Sequence, residues 1–224
     1  MRDIEKFIEG FRQFHRNYFS ENRELFDQLK QGQRPRALVV ACCDSRVDPA
    51  ILTGSEPGDI FVVRNVANLV PPCENGGGHH GVSAALEFAV CSLGVEHIIV
   101  LGHSQCGGIR ALLEGASGCQ GGVFVAKWVG IAEPAREKVL RELQHKPLES
   151  QARACEQAAI LLSLENLLTF PWIRQRVSVG ELSLHGWYFD LGQGELLGYD
   201  PAAKAFLPLR EGGTVGDALP GTQT

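Results

Sequence analysis

Apolar positions along this chain follow two different patterns, and the change between them falls near residue 35. Over residues 3–30, Ile4, Phe7, Ile8, Phe11, Phe14 and Tyr18 recur at helical spacing, with Glu5, Glu9, Arg12 and Arg16 between them. That spacing predicts one long amphipathic helix. A stripe with so many aromatic rings needs an apolar groove to cover. The groove is either on this protein's own core or on a second subunit, over which the helix would lie as an arm.

From residue 37 the pattern changes to short unbroken apolar runs separated by helical stretches. ALVVAC (37–42), IFVVRN (60–65) and HIIVLG (97–102) read as strands buried on both faces. Residues 79–93 read as a helix with Ala84, Ala85, Phe88 and Ala89 crowded on one side. CGGIRALLEG (106–115) opens another that Gly115 can stop. Further helices are expected near 133–145 and 151–168. Strands separated by helices in this manner imply an α/β fold, with a mainly parallel central sheet flanked by helices. The stretch ELSLHGWYFDLGQGELLGYD (181–200) instead alternates on either side of LGQG, which predicts a pair of C-terminal edge strands. No repeat or interdomain linker interrupts the chain. Residues 1–210 are therefore expected to form one domain with a helical arm at 3–30, and residues 211–224 a loose tail.

Composition narrows the partners. A chain of 224 residues can bury a sizeable core. Its net charge of −5 argues against nucleic acid and anionic membranes, which both select a basic surface. No stretch approaches the roughly 20 apolar residues needed to cross a bilayer, and MRDIEKFIEG lacks the apolar centre of a secretory signal. The seven cysteines, at 42, 43, 73, 91, 106, 119 and 155, are an odd number. Reduced thiols in a cytosol fit that count better than a disulfide framework, so a cytoplasmic protein is expected.

Two segments carry the candidate chemistry: ACCDSRVDP (41–49) and LGHSQCGG (101–108). Each follows the C-terminal end of an expected parallel strand, the place where ligands collect in open α/β sheets. Cys42, His103 and Cys106 supply two thiolates and one imidazole, the three-ligand set of a catalytic zinc site, which leaves a fourth position for water. Cys43 points to the opposite side of an extended chain and is the decoy. Asp44 could bind a metal or accept a proton from its water. Arg46, two residues on, can fork onto that carboxylate, keep it ionised and hold it away from the metal. Taken singly, an H-x-x-C, a cysteine ending a strand and an Asp-x-Arg pair are weak signals; their joint placement after two buried strands gives them weight. The histidines His79 and His80, following three glycines, read as an exposed loop before a helix.

With these motifs on hand, the chain resembles the β-class carbonic anhydrases, in their plant-like branch. CCDSR (42–46) and HSQC (103–106) are the family's paired signature, and VVRNVANLVPP (62–72), AALEFA (84–89) and LHGWYFD (184–190) extend the likeness across residues 1–208. The resemblance implies one Zn2+ per chain on Cys42, His103 and Cys106, with Asp44 and Arg46 as the catalytic dyad. It implies a substrate pocket for CO2 and bicarbonate formed by Gln33, Phe61, Val66, Phe88 and the N–H of Gly107. Phe88 stands where that branch usually has tyrosine. Gln33, Phe61 and Phe88 would reach the zinc of a neighbouring subunit, so a homodimer or higher even homo-oligomer is implied.

The function so implied is reversible hydration of CO2 to bicarbonate and a proton through zinc-bound hydroxide. The alternative on the same scaffold is hydrolysis of carbonyl sulfide or carbon disulfide, and a rival of another class is a zinc-holding protein in which Asp44 fills the fourth position. Where one branch of the family holds an inhibitory bicarbonate with Trp, Gly and Tyr, this chain has Val39, Ala41 and Phe189. None can supply the same hydrogen bonds, so no such site and no cooperative loss of turnover towards neutral pH is expected.

Overall fold

In the computed structural model, which describes residues 2–74, 76, 78–115 and 122–209, the three apolar runs are adjacent parallel strands. They are β1 (Ala37–Cys42), β2 (Ile60–Asn65) and β3 (His97–His103). β4 (Ser183–Asp190) continues the parallel set beside β3, and β5 (Glu195–Asp200) and β6 (Ala205–Pro208) close the edge antiparallel. The order across the six-stranded sheet is β2-β1-β3-β4-β5-β6. The mixed α/β architecture is the one expected, and LGQG is the turn of the β4–β5 hairpin. β6 had no counterpart in the sequence reading. The expected tail at 211–224 lies outside the described residues, as does Cys119.

The chain divides into two compact units, one before Pro35 and one from Pro35 onward. The first contains α1 (Arg2–Phe14) and α2 (Arg23–Leu29), joined by a wide π-type turn at His15–Phe19. The single helix expected over 3–30 is therefore broken. Ser20 Oγ donates to the carbonyl of His15 and Asn22 Nδ2 to that of Tyr18, each at 2.8 Å, and such side-chain bonds compete with a regular ladder. The break lets Phe26 of α2 pack against Phe14, Tyr18 and Phe19, with ring centroids 4.7–6.2 Å apart. Ile4, Phe7 and Phe11 stay 59–69% exposed.

In the second unit the strands alternate their side chains between two faces. Leu38, Val40, Ile98, Val100, Leu184 and Tyr188 meet α4 (Gly81–Glu87), α8 (Leu148–Leu167) and α9 (Pro171–Ser178). Val39, Ala41, Ile99 and Leu101 pack with Leu52 of α3 (Pro49–Thr53) and with Trp187, Phe189 and Leu196. α8 comes very close to the sheet. A Cβ on Gly102 of β3 would stand 2.7 Å from Ile160 Cδ1, and one on Gly186 of β4 would stand 3.0 Å from Ile160 Cγ2.

One helix corrects its expectation. The regular helix begins at Gly81, not 79, and passes into a π-type turn at Phe88–Leu93. Its buried stripe is Val82, Leu86, Ala89 and Val90, while Ala84 and Phe88 face outward. Val82, Leu86 and Val90 at i, i+4 and i+8 set the core-facing side, which takes Ala89 at i+7 with it and turns Ala84 and Phe88 away. α5 (Gly107–Leu113), α7 (Glu133–Leu143) and α8 fall where expected, whereas α3, α6 (Val123–Val129) and α9 were not anticipated.

Candidate metal centre

Because Ala41 pairs with Leu101, Cys42 and His103 emerge together at the C-terminal edge of β1 and β3. Cys106 returns to the same point through Gln105, whose φ of +58° is left-handed, a conformation few non-glycine residues take. One donor atom from each of Cys42, His103 and Cys106 lies within 4.8 Å of the other two, and all three residues are buried. The two sulfurs are 3.9 Å apart. His103 Nδ1 is 2.9 Å from the carbonyl of Ser104, which can only accept, so Nδ1 carries the hydrogen. Nε2 is left buried with no hydrogen-bond partner, its lone pair turned into the cluster.

That donor set fits a borderline-soft divalent cation such as zinc: two thiolates and one imidazole whose tautomer is fixed by the Ser104 carbonyl. One contact between the two thiols moves them in opposite directions. Cys42 is pushed down to about 4, chiefly because Cys106 donates to it, and Cys106 is pushed up by the same contact and by burial. Burial pushes His103 down, but the Cys42 thiolate more than offsets this and leaves it raised. Electron-rich donors held this close are ready to exchange protons for a cation.

Asp44 is beside the cluster, its Oδ2 3.9 Å from His103 Nε2. Arg46 donates to it three times: backbone N–H and Nε to Oδ1 at 3.0 and 2.9 Å, and a terminal nitrogen to Oδ2 at 2.8 Å. The Arg46 guanidinium holds the Asp44 carboxyl well below the usual carboxylate range. The same guanidinium donates to the carbonyl of Gln105 at 3.0 Å, tying the two motif loops together.

The remaining expected residues are dispersed. Gly107 is exposed and follows Cys106 directly, with nothing within 4 Å of the place its Cβ would occupy. Val66 lies against the neighbouring turn, since a Cβ on Gly108 would meet Val66 Cγ1 at 2.7 Å. Phe61 is elsewhere. It pairs with Leu38 while Cys42 pairs with Asn65, four positions along, or about 13 Å at strand rise. Phe61 instead packs on Phe88, with centroids 5.8 Å apart, and Phe88 is 47% exposed. Gln33 belongs to the first unit and is exposed. Cys43 is exposed while Cys42 is buried, as the strand alternation requires. His79 and His80 are exposed and precede α4, the loop reading made from the sequence.

Two residues bear on the site that the sequence reading passed over. Arg64, at the end of β2, donates to the carbonyls of Cys42, Asp44 and Val47, each at 2.8 Å, and contacts Asp48 at 3.2 Å. It gives the loop carrying the dyad its shape. Glu156 of α8 accepts from the N–H of Cys106 at 2.9 Å and from the hydroxyl of Tyr188 at 2.7 Å.

Known proteins resemble this chain over most of its length. The sequence model of the carbonic anhydrase family matches residues 37–196. The carbonic anhydrase of Synechocystis sp. is 41% identical over 204 residues, which is 91% of this chain and 74% of that protein. The chloroplastic β carbonic anhydrase 5 of Arabidopsis thaliana is 43% identical over 180 residues, 80% of this chain and 59% of the plant protein. Among solved structures, the β-carbonic anhydrase CcaA superposes with a TM-score of 0.91 at 39% identity, covering 98% of this chain and 96% of that one. A tetrameric β-carbonic anhydrase from Sordaria macrospora superposes with a TM-score of 0.79 at 28% identity, covering 88% and 97%.

Proposed function

This chain belongs to the β-carbonic anhydrase family of carbonate dehydratases, and from that premise we propose that it hydrates CO2 reversibly to bicarbonate and a proton with one zinc ion held by Cys42, His103 and Cys106. The observation that carries the reading is the buried donor triad with an ionised carboxylate 3.9 Å from its imidazole. When bound, zinc supplies a water molecule of lowered pKa that is nucleophilic near neutral pH.

The residues around it divide the remaining work. Asp44 accepts a hydrogen bond from the attacking oxygen and so aims its lone pair at the CO2 carbon. Arg46 occupies both oxygens of Asp44 and keeps it from becoming a fourth ligand. The N–H of Gly107 donates to a CO2 oxygen as charge develops there. Val66 supplies an apolar wall. Gln33, Phe61 and Phe88 complete the pocket from a neighbouring copy, which agrees with the distance of Phe61 from Cys42 within one chain. An even homo-oligomer is proposed on that ground, and the tetrameric relative supports it. In this reading residues 1–210 act as one domain with the first helices as its arm. Cytoplasmic placement rests on the six free cysteines among the described residues. Among those residues no helix is long and apolar enough to cross a membrane.

Hydrolysis of carbonyl sulfide or carbon disulfide is not favoured, since the relatives reported above are carbonic anhydrases. Stopped-flow CO2 hydration on protein of verified zinc content, scanned over pH, tests the proposal. Rapid turnover rising along one simple sigmoid near neutral pH is expected. Val39, Ala41 and Phe189 sit in one apolar cluster, so no cooperative step is expected on the acid side. Absence of turnover with one zinc per chain would overturn the enzyme reading in favour of a closed site, and release of sulfide from carbonyl sulfide without CO2 hydration would favour the alternative.

A further inference from the structure

Glu156 is a carboxylate in the wrong place for a solvated side chain. It is 4% exposed and lies on the α8 stripe that continues through Ala159, Ile160, Ser163, Leu164 and Leu167. Burying an acidic group there costs folding free energy unless both of its oxygens are engaged. They are: Oε1 accepts from the backbone N–H of Cys106 and Oε2 from the Tyr188 hydroxyl.

The approach of α8 to the sheet makes the first contact possible. Glu156 and Ile160 are four residues apart, so they share one helix face. Ile160 sits where a side chain on Gly102 or Gly186 would clash. Glycine at both strand positions thus lowers α8 onto the sheet and brings Glu156, one turn earlier, within reach of Cys106. A second tether follows along the helix: Arg153 pairs with Asp190 at 2.6 Å and lies 5.4 Å over the Tyr188 ring.

Cys106 needs such a partner. Its side chain makes no capping bond to α5, and it follows the left-handed Gln105. Its N–H points into the protein and the direction of its Sγ follows from its backbone. We propose that Glu156 is a positioning residue for the metal ligand Cys106, fixing that backbone so that the sulfur meets Cys42 and His103 at one point. The inference rests on the reading that this triad holds zinc.

The test compares Glu156→Gln, Glu156→Asp and Glu156→Leu with the parent chain. Zinc affinity is measured by competition with a chromophoric chelator, and the cobalt-substituted proteins are compared by their thiolate-to-cobalt absorption. Far-UV circular dichroism checks the fold. Gln keeps an oxygen on the Cys106 amide and should hold zinc within about threefold of the parent, whereas Asp, one methylene short, and Leu should weaken it about 10–100-fold and shift the cobalt band. Retention of parental affinity and spectrum by Asp or Leu would overturn the proposal, and so would a Gln variant as weak as Leu. Should Leu fail to fold, the contrast between Asp and Gln decides. If the parent chain takes up no zinc, the metal reading itself falls; if it does and the variants match it, only the positioning role falls.

Discussion

In the proposed zinc site one carboxylate beside the triad could take the fourth position, and Arg46 is the residue that holds it. Asp44 is near enough to His103 Nε2 to turn onto a metal, yet three hydrogen bonds from Arg46 restrain it. Arg46→Ala is therefore expected to keep one zinc per chain while turnover falls about 10²-fold, the size of a lost positioned acid–base group. X-ray absorption on that variant should show a carboxylate oxygen in place of water in the fourth position, seen as added scattering from the carboxylate carbon. Full turnover would show that the pair is an ordinary ion pair. The cluster of Cys42, His103 and Cys106 and the ion pair of Asp44 and Arg46 were legible in the sequence because each motif is local, with His103 and Cys106 three apart and Asp44 and Arg46 two apart. Glu156 and Arg64 were not, since their bonds to the ligand residues span 50 and 22 positions. One signal was available for Glu156: a charged residue in register with Ala159, Ile160 and Leu164. Nothing comparable marks Arg64, where an arginine ending a strand reads as solvated.

At the level of elements, α8 packs directly on β4 and on β3, the strand that ends in His103. Gly102→Ala places a methyl 2.7 and 2.9 Å from Ile160 Cδ1 and Cγ1, and should destabilise the protein by about 1–3 kcal/mol. Adding Ile160→Val removes the Cδ1 methyl, so the pair should show a compensating coupling of about 1 kcal/mol in urea unfolding. Strictly additive losses would place the strain elsewhere. The end of β4 is pinned differently. Burial raises the Asp190 carboxyl, but the hydrogen bonds from Arg153 and from the N–H groups of Gln193 and Gly192 outweigh it and leave it below the usual range. A lowered carboxyl stabilises the fold above the unfolded value of about 3.9 and loses that contribution as pH falls through the folded value. Asp190→Asn should thus cost about 1–3 kcal/mol at pH 7 and progressively less below pH 4, read from thermal melts across pH. A pH-independent difference would mean that the Asp190 charge contributes nothing. β1 and β3 were legible because buried parallel strands are unbroken apolar runs; β2 reads the same way yet is the half-exposed edge strand, and β4, read as an edge strand, alternates and lies inside the sheet beside β3. The short helices α3, α6 and α9 were not legible by period, since five to eight residues show little of it, and α5, equally brief, was read with the help of Gly115. The break after α1 escaped notice because Ser20 and Asn22 act through backbone carbonyls, which leave the apolar stripe intact.

For the whole molecule, the open question is whether one chain holds a complete site. Phe7 and Phe11, four apart on α1, are 69% and 64% exposed, beside Ile4 at 59%. Burying a phenylalanine side chain contributes about 1.5–3 kcal/mol, and a two-fold interface counts each ring twice. Phe7→Glu with Phe11→Glu would then remove about 6–12 kcal/mol of association free energy, a weakening of roughly 10⁴–10⁹-fold. Light scattering should report a smaller particle. Because Cys42, His103 and Cys106 all belong to one chain, zinc should stay at one ion each. Turnover should nonetheless fall at least about tenfold, since Gln33, Phe61 and Phe88 would no longer line a neighbour's pocket. The three readings separate the possibilities. An unchanged mass would mean that copies do not associate through α1. A smaller particle with full turnover would mean that each chain completes its own pocket, and the roles given to Gln33, Phe61 and Phe88 would be wrong. Loss of zinc along with mass would make the first helices part of what holds the metal site together.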